Sequence, residues 1–215
     1  MSDHPRSIQV GIETTDTKVF ASALDWPGWS RAGRTEAAAL EALAAVRARY
    51  AAVVHLATIA GPGDGPLEVV ERLPGNATTS FGAPAIVFAA DREPADEQEA
   101  ARLASLVAAA FTTLDTVVAA APAELRKGPR GGGRDRDGVV EHVRGAHGGY
   151  LRPTVGREPV GTGDAERRAT MLAVIGRPSD GTPPEGAKWP QRYAARRIAW
   201  HALDHAWEIE DRTPE

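Results

Sequence analysis

Cysteine is absent from all 215 residues. Disulfides, thiolate zinc sites and a cysteine nucleophile are excluded together, so any metal must be held by His, Asp or Glu. An excess of positive charge is missing too. Twenty-five Lys and Arg stand against 29 Asp and Glu, a formal net charge of −4, and neither half of the chain gathers basic residues. That balance argues against nucleic acid as a partner. On inspection no apolar run reaches the roughly 18 residues of a membrane span, and no signal-peptide pattern precedes the strand-like run at Ser7. The expectation is a cytoplasmic protein with no membrane association. What is there is ordinary for a globular chain: 42% hydrophobic and 25% charged residues, enough length for one large domain or two small ones.

The first part, residues 1–94, reads as an α+β unit. Ser7 to Glu13 alternates polar and apolar, the period of a half-buried strand, and Val19 to Leu24 supplies its hairpin partner across Thr14-Thr15-Asp16-Thr17. Pro27-Gly28 is turn chemistry, and Arg31 to Arg34 fits a short third strand. Thr35 is a natural N-cap for one long helix, Glu36 to about Ala57. Leu67 to Leu73 and Ala83 to Ala90 read as two further strands, giving βββα plus strands. Trp26 and Trp29 flank the Pro-Gly turn. They suit either packing at the end of the small core or a lip toward a ligand or the second part.

From Val19 to Leu43, with Leu24-Asp25-Trp26-Pro27-Gly28-Trp29 and then Gly33-Arg34-Thr35-Glu36-Ala37 opening a helix, this part resembles the HicB-like domain. The resemblance implies an interaction or ligand-binding role. The DNA-binding segment that accompanies such domains in antitoxins has no counterpart here.

The second part, 95–215, reads as four helices. Asp96 with Glu99 suggests a capping box for a helix to about Ala121, with Leu103, Val107, Ala110, Leu114 and Val117 as its stripe. Lys127 to Arg134 is a basic, Gly-rich connection lacking the Lys-Ser/Thr ending of a phosphate loop. A second helix is expected from Asp137 to about Leu151, ended by Arg152-Pro153. Asp164 can cap a third, Ala165 to about Ile175. Pro190 fits the first turn of a fourth. The fold class expected is an α+β N-terminal unit followed by an all-α four-helix bundle.

The fourth helix carries the chemistry. His201-x-x-x-His205 lies in a run without Gly or Pro, and residues four apart on a helix sit one above the other, Cβ atoms about 6 Å apart. Two imidazoles can close on one ion without bending the backbone. At about 100° per residue, His201, His205 and Glu208 share one face, with Arg197 and Arg212 a turn beyond at either end. The rest of the circumference is largely apolar: Tyr193, Ile198, Trp200, Leu203, Ala206, Trp207, Ile209. Such a strip suits a metal pocket, and it would equally suit a face in water. Glu208 is placed to accept a hydrogen bond from a ligating histidine, whereas Asp204 falls off the strip and reads as solvated. His147 points away from the second helix's His142 and reads as solvated or packed. His4 and His55 have no partner in view.

Asp137-Gly138-Val139-Val140-Glu141-His142-Val143 on the second helix, with His201-x-x-x-His205-Ala206-Trp207-Glu208-Ile209 on the fourth, resembles the DinB-like superfamily of metal-binding four-helix proteins. On matching positions the resemblance implies that His142, His201 and His205 ligate one metal ion. The family's frequent His-Arg-Gly-Gln ending is here Ala206-Trp207-Glu208-Ile209. Three neutral imidazoles leave a fourth position open on a tetrahedral ion, so Zn²⁺ is the first choice, with Ni²⁺, Fe²⁺ or Mn²⁺ also admitted by the ligand type. Relatives of this kind imply a metal-dependent S-transferase or isomerase that uses a low-molecular-weight thiol such as mycothiol on a small-molecule substrate. The alternative is a non-catalytic binding or regulatory protein, with a HicB-like interaction domain on a metal-stabilised scaffold. A metal-assisted hydrolase is a third class, with no independent nucleophile in view. Exposed helix faces in such bundles also suggest a homodimer.

Overall fold

The computed structural model describes residues 6–128 and 133–214. The chain is a mixed α+β protein, a four-stranded sheet followed by helices. Strand β1 (Ile8–Thr14) pairs antiparallel with β2 (Val19–Ala23), which pairs antiparallel with β3 (Ser30–Gly33). Helices α1 (Glu36–Ala45) and α2 (Arg47–Leu56) then cross over, so that β4 (Leu67–Pro74) returns parallel to β1. The sheet order is β3-β2-β1-β4. A one-turn helix α3 (Ala77–Phe81) and a 3₁₀ turn (Ala89–Arg92) lead into α4 (Glu97–Ala120), α5 (Arg136–Val155), α6 (Asp164–Ile175) and α7 (Gln191–Arg212).

Two local expectations fail for identifiable reasons. The single long helix from Glu36 breaks at Val46, although neither Gly nor Pro is there. The carbonyl of Leu43, which an unbroken helix would offer to the N–H of Arg47, instead accepts from the indole N–H of buried Trp29 at 2.9 Å. Just beyond the break, Tyr50 stacks on Trp29, and its hydroxyl donates to the carbonyl of Pro27 at 2.8 Å. Trp29 and Tyr50 are both fully buried. The aromatic pair at the turn therefore sets the bend between α1 and α2.

The strand expected over Ala83 to Ala90 does not form. Its backbone N–H groups go to carboxylates rather than to a ladder. Ala85 and Ile86 donate to the fully buried Glu13, Phe88 to Asp91, and Ala89 to Glu71. Thr79 of α3 donates to Glu13 as well, at 2.7 Å. The Phe88 ring lies across the sheet at Gly11, where a Cβ would come within 2.7 Å of the ring, so glycine is what lets the segment cross there.

Helix α4 starts as expected, with the Asp96 carboxylate accepting from Glu99 N. Its length and composition are apolar enough for a membrane span, with a mean hydropathy of 1.7 over 18 residues, a longer apolar run than expected from the sequence. Its stripe of Leu103, Leu106, Val107, Phe111 and Leu114 is packed in the core, and α4 packs against α7.

Helix α5 runs past Pro153 to Val155 instead of ending at Arg152. The Thr154 hydroxyl donates to Tyr150 O, and the Pro153 carbonyl accepts from both Lys188 and Trp189, so the loop before α7 holds the last turn in helical form. Helix α6 is capped at Gly163, whose N–H donates to Glu166. Asp164, expected as that cap, turns inward to His147 and Arg168. Residues 129–132 of the Gly-rich connection and His4 lie outside the described residues.

The core is continuous across both parts of the chain, from Ile8, Val10 and Ile12 of the sheet to Leu203, Trp207 and Ile209 of α7. Gly28 (φ 94°) brings the Pro-Gly turn onto α7, where a Cβ would meet the Leu203 side chain at 2.6 Å. Charged contacts run the same way. Arg31 pairs with Asp204 at 2.9 Å, so that carboxylate, still partly exposed, has a partner as well as solvent. Arg49 pairs with Glu210 and Asp211. The deepest is Arg196 with Asp91, bidentate at 2.8 and 2.5 Å, with side chains 3% and 1% exposed.

Because removal of one partner leaves the other charged and dry, Asp91→Ala is expected to cost about 3–5 kcal/mol of stability. The double variant Asp91→Leu/Arg196→Met is expected to lose less than Asp91→Ala alone. Urea unfolding of the three proteins checks this. A double variant as unstable as the single one would show that the charges themselves are not the issue.

Candidate metal centre

Helix α7 has polar residues on a face that the fold buries. Fifteen of its 22 residues are buried, and they include Arg196, Arg197 and His201 as well as the apolar majority. Helix α5 lies against that face. His142 stands one residue before Val143, which is buried in the core, so the packing of α5 carries the His142 ring toward α7.

The structure brings His142, His201 and His205 together. Their ligand nitrogens all lie within 4.8 Å of one another. The Nε2 atoms of His142 and His201 are 3.3 Å apart. On a tetrahedral ion with Zn–N bonds of about 2.0–2.1 Å, ligand nitrogens stand roughly 3.3–3.4 Å apart, so this pair is already at coordinating separation. The ring centroids of His142 and His205 are 4.9 Å apart and those of His201 and His205 4.7 Å, each pair nearly edge to face.

Each ring is prepared differently. His205 Nδ1 is 2.8 Å from Glu208, which also accepts from Arg212 at 2.7 Å. That bond fixes the His205 tautomer and leaves Nε2 for a ligand. The hydrogen bond from His205 and then that from Arg212 hold the Glu208 carboxyl below its usual range, against the opposing effect of burial. His201 is 6% exposed, and its Nδ1 has no hydrogen-bond partner among the described residues. Burial, reinforced by the charges of His205, Arg197 and His142, pushes its pKa down to about 2. His142 is lowered as well, by burial first and then by His205 and Arg134. Neutral imidazoles are the form that offers a lone pair to a cation.

No protein-family model, curated protein or solved structure matches this chain. The reading of the cluster therefore rests on its donors. Three imidazole nitrogens, no thiolate, and one carboxylate behind a ring are a set that fits a divalent ion with an open position.

The other sequence candidates fall elsewhere. His147 is 1% exposed, bonded through Nδ1 to Asp164 at 2.7 Å, with its ring edge on Phe111; it is a packed histidine. His55 is exposed on α2. Trp26 and Trp29 do not line the cluster. Trp29 is core, and Trp26 meets Tyr50 edge-on beneath the Arg102 guanidinium. Tyr150, counted in the sequence as part of the α5 stripe, turns out to border the site, its ring 5.4 Å from that of His201. The burial of Arg197 has no signal in the sequence beyond its place on the histidine strip.

The lowered histidines carry a pH dependence whose sign is fixed. Unfolded, His201 takes up a proton as pH falls through about 6.5; folded, it does not until about 2. Its contribution to stability is whole above pH 6.5 and lost as pH falls below it. For the metal-free protein, stability is expected to fall from pH 7 to pH 5. His201→Phe is expected to flatten that fall by about 1.4 kcal/mol per pH unit. Denaturant titrations at pH 7, 6 and 5 give the slopes. Equal slopes would show that His201 ionises within the folded protein.

Proposed function

We propose that the chain is a DinB-like metal protein, in which α4 to α7 form a four-helix bundle and His142, His201 and His205 hold one divalent ion, Zn²⁺ first among the candidates. The observation that supports this is the meeting of three imidazoles from two helices whose sequence separation is about sixty residues, with Glu208 bracing one of them. On this reading the protein is a metal-dependent S-transferase or isomerase using a low-molecular-weight thiol. Bound there, a divalent ion would lower the pKa of a thiol and hold it as thiolate. The residues of the chain do the rest. His205 is held by Glu208, the His201 ring is shielded by burial, and the rings of Tyr150 and Trp200 wall the site on the His201 side.

A second reading has its own observation. The cluster joins α5 to α7, so an ion there would cross-link two helices and stabilise the fold without any turnover. This corresponds to the non-catalytic binding protein with a HicB-like first part.

Purified protein is expected to carry about one divalent ion per chain, and His142→Ala to lose most of it, as read by elemental analysis. Unchanged metal content in His142→Ala would remove the triad assignment.

Consumption of a thiol by an electrophile is expected with metal present, lost on chelation and restored by Zn²⁺. If chelation lowers the melting temperature while no thiol is consumed with any metal, the structural reading stands and the transferase falls.

A further inference from the structure

Two neighbouring arginines on α7 are buried to nearly the same degree and treated very differently. Arg196 is 3% exposed and Arg197 is 8% exposed. Arg196 has the Asp91 carboxylate across its Nε–Nη2 fork, the Ile86 carbonyl, and the faces of Phe88 and Tyr193. Burial works against its charge, and Asp91 more than offsets that, so its pKa is raised. Arg197 has aromatic faces of the same kind, Trp200 at 4.8 Å and Tyr150 at 5.0 Å, but no anion. Among the described residues it makes no ion pair, and its Nη1 is buried without a hydrogen-bond partner. A guanidinium stays charged at any working pH. A buried charge without a counter-ion is costly, and proteins retain one where an anion arrives from outside.

Its position says what the anion is for. Arg197 stands one helical turn before His201, a Cβ separation of about 6 Å. Tyr150 touches both, under the guanidinium on one side and 5.4 Å from the His201 ring on the other. The guanidinium lies over the Trp200 and Tyr150 rings, with the Tyr150 hydroxyl beside it, and its planar fork matches a flat carboxylate.

We propose that Arg197 is the carboxylate-binding residue of the histidine site, so that the molecule acted on there is a small organic acid whose reactive atom lies within a few bonds of its carboxylate. This rests on the reading of the triad as a reaction site, and the experiment separates the two. Arg197 then supplies the counter-charge that fixes the acid against α7.

The test titrates wild-type, Arg197→Gln and Arg197→Lys protein with acetate and succinate, and in a parallel arm with inorganic phosphate, at constant ionic strength. Tryptophan fluorescence reports on Trp200 beside the guanidinium, and metal content is measured on the same samples. Wild type is expected to bind the carboxylates saturably. Arg197→Gln is expected to bind them about tenfold more weakly or worse, with Arg197→Lys between. Thermal melts guard against a merely structural role. Without added anion, Arg197→Gln is expected to melt at or above the wild-type temperature, and only the wild type to gain stability from carboxylate. A variant that melts lower in every buffer, with no dependence on carboxylate, overturns the proposal. So does phosphate binding that exceeds carboxylate binding, since the class would then be wrong. Full metal content with no Arg197-dependent binding defeats this inference alone. Arg197-dependent carboxylate binding in protein that takes up no metal defeats the metal reading and leaves this one standing.

Discussion

One dry ion pair, the Arg196 guanidinium against the Asp91 carboxylate, determines how the halves of this protein meet. It can exist only if the segment after the sheet is drawn down onto α7, and that segment is held in turn by the buried Glu13 of β1. Two buried carboxylates thereby shape the region between sheet and helices. Glu13 collects backbone N–H groups, and Asp91 collects an arginine and the N–H of Phe88. Neither could be left unsatisfied in a core of this density without a large loss of stability. The same docking brings the Pro-Gly turn, through Gly28, onto Ala199 and Leu203 of α7.

With α7 locked on one side, its other side is free to carry chemistry. Helix α5 closes over it, and the histidines meet in the seam. Burial does two jobs there. It holds the pKa of His201 and His142 down, and it places Arg197 where the protein itself offers no anion. A cation and a cluster of imidazole nitrogens, held one helical turn apart, give the seam a definite polarity.

Much of this was legible in the residues, and the parts that were not share a cause. The hairpin, the Thr35 cap, the start of α4 and the placing of His201, His205 and Glu208 on one helical face all follow from local rules of period and capping. The break at Val46, the loss of the strand at Ala83 to Ala90, the continuation through Pro153 and the inward turn of Asp164 do not. Each is decided by a partner distant in sequence. Trp29 takes the carbonyl of Leu43, Glu13 takes the amides of Ala85 and Ile86, Lys188 and Trp189 bond to Pro153, and His147 claims Asp164. The meeting of His142 with the other two rings is also non-local. The residue itself was singled out by its resemblance to a family position, since nothing in the spacing of the chain shows that α5 lies against α7.

The parallel return of β4 beside β1 looks like a finished small unit, but its floor belongs to a much later piece of chain. Asp91 waits for a residue 105 positions downstream, and Arg31 for one 173 positions downstream. Loops of that span close slowly, because their entropy must be lost before any contact rewards it. On the ribosome, the nascent sheet would therefore emerge with Phe88 and Phe20 lacking the cover that Arg196 and Trp200 give them, apolar surface of the kind that chaperones shield.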